Sequence, residues 1–164
     1  MKKLYIDFDG VIYNSIEVSY DMALKQGFKK NEEEFFLFYK NLNWCDVLKK
    51  SSQINDSFNC IKKIIDSGKY DVAILTHIVT LEEALEKIKL IRKNINDISI
   101  ILVPKAVSKT EVVKACNAIL IDDYVQNLKE WKAAGGIGVR FDLDMDGKGF
   151  PVISKLDKVL EILE

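Results

Sequence analysis

The sequence predicts an α/β protein with a doubly wound, mainly parallel sheet and a small helical cap inserted after the first strand. Apolar runs typical of strands alternate with stretches of helical periodicity. Several runs lack polar–apolar alternation, as expected of strands buried on both faces of a parallel, Rossmann-like sheet. The predicted strands are 3–8, 71–76, 98–103, 118–122 and 137–141, and the predicted helices are about 55–67, 81–95, 109–116 and 124–134.

Residues 15–54 break this alternation. They have helical patterns at about 15–27, 31–42 and 45–51, with Asn31 and Glu34 spaced like an N-cap and its reciprocal partner. The sequence therefore predicts an α/β core at 1–14 and 55–164 and a cap at 15–54. The aromatic run 35–39 and Trp44 are expected to form the core of that cap, or alternatively to offer a ring that stacks on a nucleobase.

Composition excludes several classes of protein. The 164 residues include 24 basic and 25 acidic side chains, and this balance gives no indication of a nucleic-acid polymer or a membrane surface as partner. The three cysteines are widely spaced and are expected to be reduced thiols. We expect a soluble, cytoplasmic protein, because the first residues resemble no signal peptide and no apolar run has membrane-spanning length.

Two carboxylates lie where the first predicted strand ends and a loop begins. Asp7 and Asp9 are two residues apart, so both are expected to face one crevice while Phe8 points away. Carboxylates this close repel, and one would take up a proton unless a cation lay between them. Gly10 allows the backbone to turn tightly directly after them.

Polar side chains also lie where two later strands end. Thr76 ends the strand 71–76, and Asp122 and Asp123 follow the apolar run from Ile119. Asn127 comes one helical turn later. Ligands bind at the carboxyl ends of parallel strands, and paired acids offer the hard oxygen atoms that Mg²⁺ prefers.

Two lysines precede the fourth predicted strand, Lys105 and Lys109. Ser108 and Glu111 form a capping-box pattern, which would place Lys109 in the first turn of a helix. A helix amino end attracts anions. The pattern favours Lys109 over Lys105 as the lysine of a phosphate site.

These motifs occur in the order found in the haloacid dehalogenase superfamily, which the chain resembles over nearly its whole length. They are Asp7-Phe8-Asp9-Gly10-Val11, the strand ending at Thr76, the lysine, and the strand ending at Asp122-Asp123. More loosely, the chain resembles the 5'(3')-deoxyribonucleotidase-like branch, partly through Lys109-Thr110 and the valine two residues later. The resemblance implies a Mg²⁺-dependent phosphomonoester hydrolase that works through an aspartyl-phosphate intermediate.

The resemblance also implies roles for individual residues. Asp7 would be the nucleophile and Asp9 the general acid and base. The implied phosphate-binding residues are Gly10, Thr76 and Lys109, and the implied metal ligands are Asp7, Asp9 (through its main-chain carbonyl), Asp122 and Asp123. Which member of the Asp122–Asp123 pair touches the ion stays open.

The expected partner is a small phosphomonoester, with a deoxyribonucleotide preferred and a sugar phosphate as the alternative. His77 follows Thr76 and is a possible substrate contact. Asp142, Asp144 and Asp146 imitate the start of a calcium loop, but Ile153 stands where a bidentate Glu belongs, so we expect a solvated acidic turn.

Two other classes of protein compete with an enzyme. A phosphoacceptor signalling domain needs its acceptor Asp on the third strand, but the strand 98–103 ends in Val103-Pro104. A non-catalytic protein that binds Mg²⁺ or phosphate on the same scaffold has no physical need for both Asp7 and Asp9. The sequence does not predict an oligomeric state.

Overall fold

The computed structural model describes residues 1–28 and 32–162, without the side chain of Glu32, and six strands in these ranges form one parallel sheet. The strands are β1 (Lys2–Ile6), β2 (Tyr70–Ile78), β3 (Ser99–Pro104), β4 (Ile119–Asp122), β5 (Ile137–Phe141) and β6 (Val152–Ile153). Their order across the sheet is β3-β2-β1-β4-β5-β6. The chain therefore winds outward in both directions from β1, and the predicted doubly wound fold class is confirmed.

Helices connect the strands and cover the sheet. They are α1 (Ser15–Lys25), α2 (Glu32–Lys40), α3 (Trp44–Lys50), α4 (Ser57–Asp66), α5 (Leu81–Asn94), α6 (Lys109–Val112), α7 (Val125–Ala133) and α8 (Val159–Ile162), with a 3₁₀ helix at Leu156–Lys158 before α8. The N-cap predicted at Asn31 lies outside the described residues.

The sheet is buried on both faces because successive side chains of β1 point in opposite directions. Leu4 and Ile6 are fully buried in one hydrophobic cluster, to which α4 contributes Ile61. Tyr5 belongs to a second cluster on the other face, where its ring packs edge-on against Trp131 of α7 at 5.4 Å between centroids. This sandwich fixes the strand ends on which the polar side chains lie.

Helices α1 to α3 share a hydrophobic cluster of their own. Its buried members include Ala23, Phe38 and Trp44. Helix α3 begins with an N-cap in which Asn43 Oδ1 accepts a hydrogen bond from the Asp46 N–H at 3.1 Å. The helical character predicted for this stretch is confirmed in the described residues.

One predicted helix is too long, and the elements that follow β5 were not predicted. The helix predicted at 109–116 ends at Val112, because Val113 is already extended with φ −133° and ψ 152°. The sixth strand was not predicted, since two residues after Pro151 are too few to show a period. The other predicted strands and helices lie within about two residues of their predicted bounds.

No helix among the described residues is long and apolar enough to cross a membrane. Cys45, Cys60 and Cys116 are free thiols.

Candidate active site

The candidate site lies where the sheet changes winding direction, between the carboxyl ends of β1 and β4. Asp7 follows β1 directly, and its N–H donates to the Ile121 carbonyl at 2.9 Å, so the β1–β4 pairing extends to this residue. Asp122 is the last residue of β4. Two carboxylates are thereby brought side by side on adjacent strands, as the sequence predicted from their positions.

Lys109 joins these two carboxylates. Its Nζ donates to Asp7 Oδ1 and to Asp122 Oδ2, both at 2.7 Å, and the side chain is 2% exposed. The predicted capping box is confirmed: Ser108 Oγ accepts from the Thr110 N–H, and Glu111 Oε2 accepts from the Ser108 N–H at 2.9 Å. The cap fixes the first turn of α6 and thus the start of the Lys109 side chain.

The two neighbouring acids of the β4 end differ in their contacts. Asp122 is fully buried; its Oδ1 accepts from the Tyr124 N–H at 2.9 Å, and its Oδ2 accepts from Lys109 and from Asn127 Nδ2 at 2.9 Å. Asp123 instead lines the cavity that contains Asp7. Both Asp122 oxygen atoms therefore already accept hydrogen bonds, whereas the Asp123 side chain faces the cavity.

Gly10 makes room for Asp123. Its φ is +76°, a left-handed conformation that glycine adopts without strain. A Cβ atom at this position would collide with the Asp123 carboxylate. The glycine of the first motif is thus required by both the turn and the approach of the acid.

Asp9 has hydrogen-bond partners different from those of Asp7. Ser15 Oγ, at the start of α1, donates to Asp9 Oδ1 at 2.6 Å. Lys87 Nζ donates to Asp9 Oδ2 at 2.5 Å. Each of the two acids thus has a lysine of its own, which offsets part of the repulsion expected between them.

Lys87 was not predicted as a site residue. It lies on α5, is fully buried, and also donates to Glu83 Oε1 at 2.6 Å and to the His77 carbonyl at 3.0 Å. Burial opposes its charge, but Asp9 and Glu83 outweigh that effect and raise the pKa of the ammonium group.

Thr76 and His77 complete this side of the site. The hydroxyl of Thr76 is buried and lies 3.5 Å from Asp9 Oδ2. The His77 ring is half-buried, and its Nε2 lies 2.9 Å from the Val107 carbonyl. Burial lowers the pKa of this imidazole, and the ring lines the cavity that contains Asp7.

Negative charge accumulates around Asp7 and Asp123. Burial raises the pKa of Asp7 to about 7 against the attraction of Lys109, and the Asp122 and Asp9 carboxylates raise it further. Burial and the neighbouring carboxylates of Asp7, Asp122 and Asp9 raise the pKa of Asp123 to about 8. Such crowding favours a bound cation, since opposite charge restores the ionised forms.

The donor set fits a hard divalent cation. Asp7, Asp122 and Asp123 each offer one carboxylate oxygen, and these three atoms lie within 4.8 Å of one another. All three are hard oxygen ligands, few enough to leave positions for water and substrate oxygen atoms around Mg²⁺. These residues therefore fit the ion that the sequence predicted.

Two adjoining cavities open onto these groups. The first, called here the site cavity, has a volume of about 340 Å³ and is lined by Asp7, Asp9, Asp123, His77, Lys105 and Asn127. The second, called the inner cavity, has about 220 Å³ and reaches from Asp9 to Tyr39 and Trp44 of the helical segment. The two cavities therefore adjoin, with Asp9, His77 and Lys105 lining both.

Solved structures share this architecture at low sequence identity. A subfamily IA, variant 1 HAD-superfamily hydrolase from Geobacter sulfurreducens PCA is 13% identical, with a TM-score of 0.61 over 100% of this chain and 97% of that chain. A hydrolase from Pseudomonas syringae is 14% identical, with a TM-score of 0.63 over 99% and 98%. The fold is that of the HAD-superfamily (haloacid dehalogenase) hydrolases.

A third structure with this HAD-like fold is D,D-heptose 1,7-bisphosphate phosphatase from Burkholderia thailandensis. It is 16% identical, with a TM-score of 0.59 over 100% of this chain and 99% of that chain. No protein-family model and no curated protein sequence matches the chain.

Lys105 and the acidic turn lie outside this charged centre of the HAD-like fold. Lys105 is exposed at the edge of both cavities, with its Nζ 5.9 Å from the Tyr124 ring. In the turn after β5, Asp142 pairs with Arg140 at 2.8 Å and Asp146 pairs with Lys148 at 3.0 Å. Two of the three acids of that turn, Asp142 and Asp146, are thus paired with basic side chains next to them.

A sequence signal for Lys87 did exist. Positions 84, 87 and 91 fall on one face of the predicted helix, and two of them are the apolar residues Ala84 and Ile91. The i,i+4 spacing of Glu83 and Lys87 is also that of an ordinary surface pair, which hides this signal. A lysine on the apolar face of a helix that follows the Thr76 strand would have indicated a buried acidic partner. Ser15 carried no such signal.

Proposed function

We propose that this protein is a Mg²⁺-dependent phosphomonoester hydrolase that forms an aspartyl-phosphate on Asp7. The observation that carries the proposal is the placement of Asp7, which lines the site cavity while Lys109 Nζ holds its Oδ1 at 2.7 Å. A carboxylate oriented by a buried cation is ready to attack phosphorus. The same cation neutralises charge that builds up on the phosphoryl group.

The reaction takes place in two steps. In the first, an Asp7 oxygen bonds to phosphorus while the bond to the leaving oxygen breaks, and Asp9 donates a proton to that oxygen. In the second, Asp9 accepts a proton from a water molecule that cleaves the aspartyl-phosphate. Thr76 and the backbone at Gly10 bind phosphoryl oxygen atoms.

Asp7, Asp122, Asp123 and the Asp9 carbonyl are the residues proposed to hold Mg²⁺. We assign Asp123 as the direct carboxylate ligand beside Asp7, because the Asp122 oxygen atoms already accept hydrogen bonds from Tyr124, Lys109 and Asn127. Bound Mg²⁺ would supply positive charge that offsets the phosphate charge facing the nucleophile.

Residues 15–54 are proposed to be a cap over a core at 1–14 and 55–164. Tyr39 and Trp44, which line the inner cavity, support this assignment. Their aromatic faces also make a nucleoside monophosphate, as in the deoxyribonucleotidase-like branch, a reasonable first substrate to test. Sugar phosphates are the alternative. The cytoplasmic location expected from the sequence stays a prediction.

The test is phosphate release from a panel of esters. The panel contains 5'- and 3'-deoxyribonucleotides, sugar phosphates and p-nitrophenyl phosphate, each with Mg²⁺ or with EDTA. We expect turnover that EDTA abolishes and that Asp7→Asn reduces to background. Asp144→Asn, which changes an exposed carboxylate of the turn after β5, is the matched control and should keep full activity.

A non-catalytic protein on the same scaffold predicts a different result. It would bind Mg²⁺ or inorganic phosphate stoichiometrically, with no release of phosphate from any ester. That outcome, from folded protein, would contradict the proposed hydrolase.

A further inference from the structure

A buried lysine lies directly behind Asp9. The three N–H donors of the Lys87 ammonium are taken up by Asp9 Oδ2 at 2.5 Å, Glu83 Oε1 at 2.6 Å and the His77 carbonyl at 3.0 Å. Lys87 does not line the site cavity. It contacts a group proposed to react, but it is not in a position to touch the substrate.

Aromatic rings surround the rest of the Lys87 ammonium group. Its Nζ lies 4.9 Å from the centroid of the Trp44 ring and 5.5 Å from that of the Phe8 ring. An unpaired buried charge is strongly unfavourable, so the ammonium is tied to Asp9 and Glu83. Trp44 also places part of the helical segment against this ion pair.

Asp9 is tethered through both of its oxygen atoms. Ser15 Oγ donates to Oδ1 at 2.6 Å, while Lys87 holds Oδ2. Ser15, like Lys87, is fully buried. These two contacts restrict rotation of the carboxyl group about its Cβ–Cγ bond, while Asp9 still lines both cavities.

We infer that Lys87 is a positioning residue, which orients the Asp9 carboxyl group for proton transfer to the leaving oxygen. The inference rests on the proposed phosphatase function. In the step concerned, the bond from Asp7 to phosphorus forms, the bond from phosphorus to the leaving oxygen breaks, and the Asp9 proton moves to that oxygen. The products are the free alcohol, the aspartyl-phosphate and the Asp9 carboxylate.

This role predicts a dependence on the leaving group. An alkyl alcohol leaves poorly without a proton, whereas p-nitrophenolate leaves well without one. Lys87→Met keeps an unbranched side chain that is one atom shorter and removes its charge. We expect kcat/KM for an alkyl phosphate to fall by about 10²-fold, within the range of general acid catalysis, and kcat/KM for p-nitrophenyl phosphate to fall less than about 10-fold.

The parameter kcat/KM is chosen because it covers the steps up to departure of the alcohol. Later hydrolysis of the aspartyl-phosphate, which also uses Asp9, does not enter it. The matched control is Lys89→Met on the same helix, where the lysine is 70% exposed and pairs with Glu86. Both substrates should keep their wild-type kcat/KM in this control.

An equal loss on both esters, or no loss, would overturn the positioning role, because a structural defect does not distinguish leaving groups. If Lys87→Met does not fold, the double variant Glu83→Gln/Lys87→Met also removes the Glu83 carboxylate that the single variant leaves without its lysine. This double variant must show the same difference between the two esters. Failure of both variants to fold would reduce Lys87 to a folding requirement and also overturn the role. Absence of turnover by the wild-type protein would instead contradict the proposed function itself.

Discussion

At the scale of single residues, the site consists of two lysine–carboxylate contacts with separate tasks. Lys109 bridges Asp7 and Asp122 across neighbouring strands, and Lys87 holds Asp9 from behind. Both lysines are buried, so each contact is protected from water and depends strongly on its partner. Substitutions at these positions should therefore have larger effects than similar changes at the cavity edge.

Comparison of the two candidate lysines tests this expectation. Lys109→Met should lower kcat by about 10²- to 10³-fold, the usual cost of losing one group that stabilises charge in the transition state. Lys105→Met removes an exposed lysine at the edge of both cavities and should chiefly raise KM. Steady-state kinetics on one ester decide between them, and melting curves with Mg²⁺ verify folding. A larger kcat loss in Lys105→Met would reassign the phosphate-site lysine.

Gly10 provides a second test at this scale. Gly10→Ala should weaken Mg²⁺ binding, because the new Cβ collides with Asp123, and it should also add about 1–2 kcal/mol of left-handed strain. Gly27→Ala is the matched control, since Gly27 has a φ of +84° and no atom within 4 Å of the added Cβ. Mg²⁺ titration by calorimetry measures the difference. Equal Mg²⁺ affinity in the two variants would contradict the account of Gly10.

At the scale of elements, the short helix α6 positions the Lys109 side chain. It has only four residues, and its capping box is formed by Ser108 and Glu111. Ser108 Oγ also donates to Glu130 Oε2 of α7 at 2.7 Å. The start of α6 is thereby fixed both to its own backbone and to the neighbouring helix.

Removal of this cap should lower both stability and activity. We expect Ser108→Ala to reduce the free energy of unfolding by about 1 kcal/mol, the typical value for an N-cap. It should also lower kcat, because Lys109 begins in the turn that the cap holds. Thermal unfolding and steady-state kinetics measure the two effects. Unchanged kcat in a measurably destabilised variant would separate the cap from the placement of Lys109.

The elements also indicate what sequence reasoning can and cannot predict. Strand ends with polar residues were predictable, because an apolar run followed by Asp7 or by Asp122 fixes both the element and its functional end. The length of α6 was not, since residues 113–116 contain no Gly or Pro to mark the change to extended backbone at Val113. Lys87 was missed because its burial depends on Asp9, far away in sequence.

At the scale of the whole molecule, the fold concentrates ionisable groups at one edge of the sheet. Burial and mutual repulsion raise the pKa values of Asp7 and Asp123 to about 7 and about 8. In an unfolded chain Asp ionises at a pKa of about 3.9. Between these values the folded, metal-free protein holds more protons than the unfolded chain.

This linkage predicts how stability changes with pH. Because the folded state binds the extra protons, the free energy of unfolding in EDTA should fall as pH rises from about 4 to about 8. Asp123→Asn removes one of the responsible groups and should reduce the fall by at least about 1 kcal/mol, the equivalent of one pKa unit. Asp144→Asn, at an exposed position, should leave the fall unchanged.

Added Mg²⁺ should oppose this fall in the free energy of unfolding with rising pH. The ion binds the deprotonated carboxylates, so the stabilisation it gives should grow as pH rises through the same range. Denaturant titrations at several pH values, with EDTA or with Mg²⁺, measure both curves. A Mg²⁺ effect that does not change with pH would contradict the assignment of these carboxylates to the metal site.

The most direct test of the central claim is detection of a phosphoryl group on Asp7. Asp9→Asn is the variant of choice with p-nitrophenyl phosphate, because that leaving group needs no proton while hydrolysis of the intermediate needs the Asp9 base. After acid quenching and proteolysis, mass spectrometry should find one phosphoryl group on the peptide that contains Asp7. Release of p-nitrophenol with no phosphoryl group on that peptide, and with activity retained in Asp7→Asn, would contradict the assignment of Asp7 as nucleophile.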